Sequence, residues 1–241
     1  MRDLNWNGYF NSRDLGGLPT PLSTTGSTVF QRVARGPRRE MLTDSGWAEA
    51  RQWGLSTVMD LRCMHEVGGR EGDPVIDKYS LSSLVIVNAP TEDQDNPEFR
   101  EVCFPILDSP EYWRHNWRIL PNLVRETLQA IANAEAGVLV HCGAGRDRTG
   151  MISALLLGNA GVSPADVAGD YAQSMRAMAG AKTYAPNHDR QASWSVAETD
   201  QWIAETASIV REVAANTEAV FDTIGLSQDE RSRLRALLTE A

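Results

Sequence analysis

The sequence predicts an α/β fold, a central and mostly parallel sheet flanked by helices in three layers, followed by a helical C-terminal part. Two observations carry this expectation. Short β-branched runs alternate with helical patterns over roughly the first 160 residues, and from Ser163 onward the chain reads as helix. Strand-like runs occupy residues 29–33, 57–61, 84–87 and 138–140, each too short for a helix and bounded by polar residues or glycine. Thr43 reads as the N-cap of a helix that carries Trp47, Ala50 and Trp53 and stops at Gly54. Trp117, Leu120, Val124, Leu128 and Ile131, at steps of three and four, give one apolar helical face that should run to about Gly137. Ser163-Pro164-Ala165-Asp166 combines an N-cap with a first-turn proline, and Ser227-Gln228-Asp229-Glu230 has the form of a capping box. No repeat or low-complexity tract divides the chain, so residues 1–241 are expected to form one domain. Trp6, Trp47, Trp53, Trp113 and Trp117 are expected in the core, and the charge runs 35–40 and 229–235 on solvated faces. The turn-rich segments 19–26, 68–74, 89–97 and 182–195 are expected loops, where function tends to sit.

With 23 Lys plus Arg against 32 Asp plus Glu, the chain carries a formal net charge of −9, which argues against a nucleic-acid binder while leaving room for a small basic pocket. Its three cysteines, Cys63, Cys103 and Cys142, are widely separated and odd in number, a poor pattern for disulfides or zinc. A reducing, cytoplasmic setting follows as the expectation. No apolar run reaches the ~20 residues of a membrane-spanning helix, and the start Met1-Arg2-Asp3-Leu4 does not read as a signal peptide, so no stable membrane association is expected.

One passage carries chemistry: the strand-like Val138-Leu139-Val140, then His141-Cys142-Gly143-Ala144-Gly145-Arg146-Asp147-Arg148-Thr149-Gly150, then an apolar stretch of helical spacing. A glycine-bearing loop that enters a helix N-terminus presents unpaired N–H groups where the dipole favours negative charge. Here the loop has a cysteine at its entrance and an arginine six positions on, whose guanidinium can bind two oxygens of a phosphate at once. Surroundings of this kind bring a cysteine from its ordinary pKa of ~8.5 to ~3.5–7.5, which would make Cys142 a nucleophile at neutral pH. His141 is expected to orient the loop. Asp147 is a general acid, a loop-rigidifying acceptor, or both. Asp93 and Asp95 are either solvated loop carboxylates or participants, and Arg13 and Asp14 are expected to pair with each other and hold the N-terminus beside the site. Arg62, Glu66, Cys63 and Cys103 are expected to be structural.

The stretch from His141 to Gly150 resembles the His-Cys-x5-Arg-Ser/Thr-Gly signature of the protein tyrosine phosphatase superfamily. Asn11-Ser12-Arg13-Asp14-Leu15-Gly16-Gly17, Asp60-Leu61-Arg62 with Glu66, and Asp170-Tyr171-Ala172-Gln173-Ser174 are similar to markers of its bacterial tyrosine/serine, dual-specificity and phosphoinositide-type branch. The resemblance implies a phosphatase-like fold, Cys142 as nucleophile, Arg148 holding the phosphoryl oxygens, and Thr149 assisting the thiolate as leaving group. It also implies a phosphate loop made of Gly143, Ala144, Gly145, Arg146, Asp147 and Arg148. Asp147 is then the candidate acid, with Asp93 in residues 90–95 the nearest counterpart of a separate acid loop. Phosphorylated proteins or small phosphate esters are the implied substrates, with no metal or other cofactor. Phosphotyrosine comes first, then phosphoserine/threonine and phosphoinositide. A non-catalytic phospho-ligand module on the same fold is the alternative, and sulfur transfer a third reading that the intact signature disfavours.

Overall fold

A computed structural model of the chain describes residues 1–180 and 190–240, so residues 182–189 of the expected loop 182–195 lie outside the described residues. The strands are β1 (Arg13–Asp14), β2 (Val33–Gly36), β3 (Thr57–Asp60), β4 (Val85–Asn88) and β5 (Val138–His141). Their spatial order is β1-β2-β5-β3-β4, with β2, β5, β3 and β4 mutually parallel and β1 antiparallel at one edge. The predicted mostly parallel sheet is therefore present, with β5 at its centre.

Among the described residues, helices cover both faces: α1 (Asp44–Trp53), α2 (Pro97–Cys103), α3 (Tyr112–Ile119), α4 (Pro121–Ala132), α5 (Asp147–Asn159), α6 (Pro164–Met178), α7 (Val196–Ala215), α8 (Thr217–Ile224) and α9 (Gln228–Thr239). Because successive strand residues point to opposite faces, β5 sends Val138 and Val140 into one apolar cluster and Leu139 into the other. The smaller cluster is closed by Trp6, Leu42, Trp47 and Ala50, and the larger by helices α2 to α9. Helix α5 is buried on nearly every side, with Met151, Ile152, Leu155, Leu156 and Leu157 inside, each leucine contributing about 1.5–3 kcal/mol of burial.

Register explains where function can lie. Gly36, His141, Asp60 and Asn88 stand side by side at the carboxyl ends of β2, β5, β3 and β4. The segments that follow them, 37–43, 142–146, 61–67 and 89–96, thus open on the same end of the sheet, the usual ligand edge of a parallel α/β sheet.

Several local expectations need correction. The first parallel strand is Val33–Gly36, not 29–33, because Gln31 turns the chain at φ 63° and Arg35 can join the buried strand once its charge is paired. The helix expected from Trp117 to about Gly137 is two helices. Pro121 cannot donate to a preceding turn, so Leu120 leaves helical geometry (φ −124°, ψ 51°) and α4 ends at Ala132. Gly137 instead takes φ 92°, where a Cβ would lie 2.0 Å from the Gly54 carbonyl oxygen. The run 35–40 is not a solvated face, since Arg35 and Arg38 are buried; in the run 229–235, Arg231 is buried against Glu218 and Asp222. Trp53 is only half-buried and donates from Nε1 to Asp14 Oδ2 at 2.8 Å, whereas the other four tryptophans are core residues as expected.

His141, at the end of β5, is fully buried and burial pushes its pKa down to about 4, against the partial opposition of Asp60, whose Oδ2 is 3.7 Å from Nε2. In the unfolded chain a histidine titrates near 6.5. Between those values the unfolded state binds the extra proton, so the stabilisation is complete above about pH 6.5 and is lost as the pH falls toward 4, by about 3 kcal/mol in all. Urea unfolding of His141→Asn is expected to lack that part of the pH dependence; identical slopes in both proteins would remove His141 as its source.

Candidate active site

The loop between β5 and α5 starts at Cys142, which is buried at 3% exposure. Every carbonyl from Cys142 to Arg146 is held from behind. The Cys142 oxygen accepts from His141 Nδ1 (3.1 Å), which puts that ring's proton on Nδ1, and the Gly143 oxygen accepts from Arg38 N (3.0 Å). The Ala144 oxygen accepts from Asn11 Nδ2 (3.0 Å), and the Gly145 oxygen accepts from both Asn11 Nδ2 (3.3 Å) and Arg35 Nη2 (3.0 Å). The Arg146 oxygen accepts from Gly150 N (2.8 Å) in the first turn of α5. A trans peptide sets its N–H opposite its carbonyl, and no cis bond occurs among the described residues. The amides of Gly143, Ala144, Gly145, Arg146 and Asp147 are thereby turned away from these anchors, toward the front of the loop and the N-terminus of α5. That is an anion cradle. Gly145 adopts φ 71°, and a Cβ there would lie 2.5 Å from the carbonyl carbon and oxygen of Gly36, so only glycine allows the loop to lie this close to β2.

Arg148 stands in the first turn of α5, where a cation opposes the helix dipole. Its guanidinium is held fork to fork by Glu66, with Nη2 donating to Oε1 at 2.8 Å and Nη1 to Oε2, and Glu92 Oε2 lies 3.7 Å from Nη1. Burial works against the charge on Arg148, but Glu92 and Glu66 more than offset it. Burial likewise pushes Glu66 up, and the Arg148 hydrogen bonds and charge bring it below the usual carboxylate range. Glu92 is different. It is 5% exposed, and burial holds its carboxyl above the usual range despite Arg148 and a hydrogen bond from Gln94. Glu66 is itself set by Cys63 N, which donates to its Oε2 at 3.0 Å, and by Arg62, whose Nη1 reaches its backbone oxygen and whose Nε and Nη2 bind Asp60. Cys63 Sγ and the two glutamates lie within 4.8 Å of one another, but the cation among them is the guanidinium of Arg148.

Arg146 turns back along the helix start, with Nε 3.0 and 3.1 Å from the two oxygens of Asp147, and Tyr171 donates its hydroxyl to Asp147 Oδ1 at 3.3 Å. Tyr171 is in turn fixed edge-to-face on Trp113. Thr149 is buried and its hydroxyl has no partner among the described residues.

The structure brings most of the expected residues together, with two corrections. Arg13 and Asp14 do not pair with each other: Arg13 Nε binds Asp170 Oδ1 (2.7 Å), while Asp14 accepts from Gly16 N, Gln31 N and Trp53 Nε1. Asp93 points to solvent and caps a turn by accepting from Asp95 N (3.0 Å); the carboxylate of this loop that faces Arg148 is Glu92. Sequence reasoning missed Glu92, Asn11, Arg35 and Arg38 and left Glu66 as structural. The available signals were the N-terminal Asn11-Ser12-Arg13 marker and the association of Glu66 with Asp60-Leu61-Arg62. Cys63 and Cys103 are thiols that burial pushes up to about 12, as inert residues would be.

No helix among the described residues is long and apolar enough to cross a membrane. The chain is 28% identical over 191 residues to the triple specificity protein phosphatase PtpB of Mycobacterium tuberculosis (strain ATCC 25618 / H37Rv), a match that covers 69% of this chain and 67% of that protein. A family model described as the tyrosine phosphatase family matches residues 4–240. The cradle at the sheet edge, the cysteine and arginine that flank it and this nearly full-length match have one reading: the chain belongs to the tyrosine phosphatase family and is a phosphatase of that type.

Proposed function

We propose that the protein, with residues 1–241 acting as one unit, hydrolyses phosphate monoesters through a cysteinyl-phosphate on Cys142. The observation that carries this reading is the loop in which all five carbonyls from Cys142 to Arg146 are hydrogen-bonded, so that the amides of the same trans peptides are turned the other way, where an anion in front of the cysteine would be received. The Cys142 sulfur attacks phosphorus while the P–O bond to the leaving group breaks; Asp147 gives its proton to the departing oxygen. Water then attacks the same phosphorus, its proton passes to the Asp147 carboxylate, and the S–P bond breaks to return the thiolate and inorganic phosphate. The Thr149 hydroxyl stabilises the sulfur as it leaves. Arg148 and the loop amides follow the equatorial oxygens through both displacements, so the scheme calls for no metal.

Asp147 suits the acid and base role because it is half-exposed at the rim of the loop, where the alcohol or phenol departs, and because Tyr171 and Arg146 fix its direction. Glu66 and Glu92 serve Arg148. The substrates we expect are phosphorylated proteins, phosphotyrosine in the first place. The name of the mycobacterial relative supports extending this breadth to phosphoserine/threonine and phosphoinositide. A nucleophilic thiol needs a reducing compartment, and we place the protein in the cytoplasm, without nucleic-acid partners or a stable membrane attachment.

Cys142→Ser is expected to lower phosphate release from aryl phosphate and phosphotyrosine peptide by roughly 10⁴-fold or more. Full activity in that variant would defeat the nucleophile, and a wild type that binds phosphopeptide without turnover would select the binding-module reading. Asp147→Asn is expected to cost about 10²-fold or more on phenyl phosphate but far less on an aryl phosphate with an activated leaving group, since only the poor leaving group needs the proton. The same signature in Glu92→Gln, with Asp147→Asn insensitive to the leaving group, would move the acid to Glu92.

A further inference from the structure

Three segments that the phosphatase chemistry does not itself use meet behind the loop. Asp170, on α6, is 2% exposed and receives three guanidinium groups: Arg13 through Nε (2.7 Å) and Nη2 (3.0 Å), Arg35 through Nη1 (2.5 Å), and Arg2 through Nη2. Arg13 also reaches Ser174 Oγ (2.9 Å) and Asn11 Oδ1 (3.2 Å). Arg35 spans from Asp170 to the loop, with its Nη2 on the Gly145 oxygen (3.0 Å) and, more distantly, on the Arg146 oxygen (3.5 Å). Asn11 completes the contact, held by Arg13 on one side and donating to the Ala144 and Gly145 oxygens on the other. Its own backbone has φ 53°, a conformation that asparagine tolerates better than most residues.

We propose that Arg35 and Asn11, set in place by Asp170 and Arg13, are positioning residues for the reaction. They aim the amides of Gly145 and Arg146 at the transferring phosphoryl group, and the excess positive charge of the cluster supports the anion in front of the loop. The inference rests on the phosphatase reading above and deepens it. Two features distinguish such a role from plain packing. The contacts fall on the carbonyls whose peptide partners are the amides at the front of the loop, and the cluster places three buried or half-buried cations around Asp170 with Asp14, near Arg2, as the other carboxylate, which leaves a net positive charge beside the loop. A fixed donor that is already aimed matters most where charge develops, so its loss should appear in kcat and in the binding of a transition-state mimic more than in KM.

The test measures vanadate inhibition, inorganic phosphate inhibition, kcat and KM on an aryl phosphate, with melting profiles alongside. Arg35→Gln is expected to weaken vanadate by roughly 10²-fold and phosphate by less, and to lower kcat more than it raises KM. Arg35→Lys should recover part of the loss, because the charge returns without the fork that reaches both Asp170 and Gly145. Asn11→Ala, at a half-buried position, should weaken vanadate about tenfold while the protein stays folded, with a melting midpoint only modestly lowered because alanine tolerates φ 53° less well than asparagine. A folded Arg35→Gln or Asn11→Ala with wild-type vanadate affinity and kcat would overturn the proposal. If Arg35→Gln does not fold, Asn11→Ala decides the matter alone. A wild type that neither hydrolyses the ester nor binds vanadate would instead remove the phosphatase reading.

Discussion

The ion pairs of Asp170 are the constraint on which the rest of the site depends. They join the N-terminal segment, β1, β2 and α6 at one point, and through Arg35 they reach the loop between β5 and α5. Burial alone would push this carboxyl up, but Arg13 and Arg35 outweigh it and hold it well below the usual carboxylate range. The burden appears on Arg35, which burial and the neighbouring Arg13 bring down to about 10. Removing one partner from such a buried arrangement typically costs about 3–5 kcal/mol, because the charges left behind have no water to turn to. A helix, an edge strand and the loop are thus tied to one another by a contact whose failure is expensive.

The opposite imbalance lies on the other side of the loop. There, one cation, Arg148, faces two carboxylates, Glu66 and Glu92. Positioned in the first turn of α5, Arg148 is unfavourable with the helix dipole by about 0.3–1 kcal/mol, and the glutamates counter that while locking the plane of the guanidinium. Glu66 occupies both terminal nitrogens through one fork, which fixes the direction in which the remaining donors can point. In the proposed mechanism, orientation is therefore settled before substrate arrives, and little needs reorganising in the transition state.

How far the sequence revealed this differs by kind of interaction. Local signals read well: Thr43, Ser163 and Ser227 cap α1, α6 and α9 as their side chains suggested, and the strand, loop and helix around Cys142 fall where the motif put them. Tertiary pairing of charge did not. Arg35 and Arg38 sit in a run that looks solvated, and only contact with Asp170, 135 residues away, or with Asp73 makes their burial affordable. The choice between Glu92 and Asp93 turns on which side of a loop faces inward, which neighbouring acids in a sequence cannot express. The break at Pro121 was legible in principle, since a proline inside an apolar helical pattern ends or kinks the helix, but the periodicity continues through it and masks the stop.

The three cysteines show why neighbours decide chemistry where burial does not. Cys63 is 8% exposed, Cys103 0% and Cys142 3%, so accessibility does not set the proposed nucleophile, Cys142, apart. Cys63 donates its thiol to the Glu92 carbonyl oxygen at 3.3 Å, beside the Glu92 carboxylate, and Cys103 also feels Glu92; both surroundings disfavour a negative sulfur. Around Cys142 the polarity is reversed. The carbonyls of its loop are engaged from behind by Arg38 N, Asn11 and Arg35, so the nearest dipoles present their positive ends, at the N-terminus of a helix whose apolar sides fix its axis in the core. On the proposed reading, what sets Cys142 apart from the other two cysteines therefore resides in peptide orientation, and that orientation is set by residues drawn from β2 and the segments beside it, remote in sequence from the signature that holds Cys142.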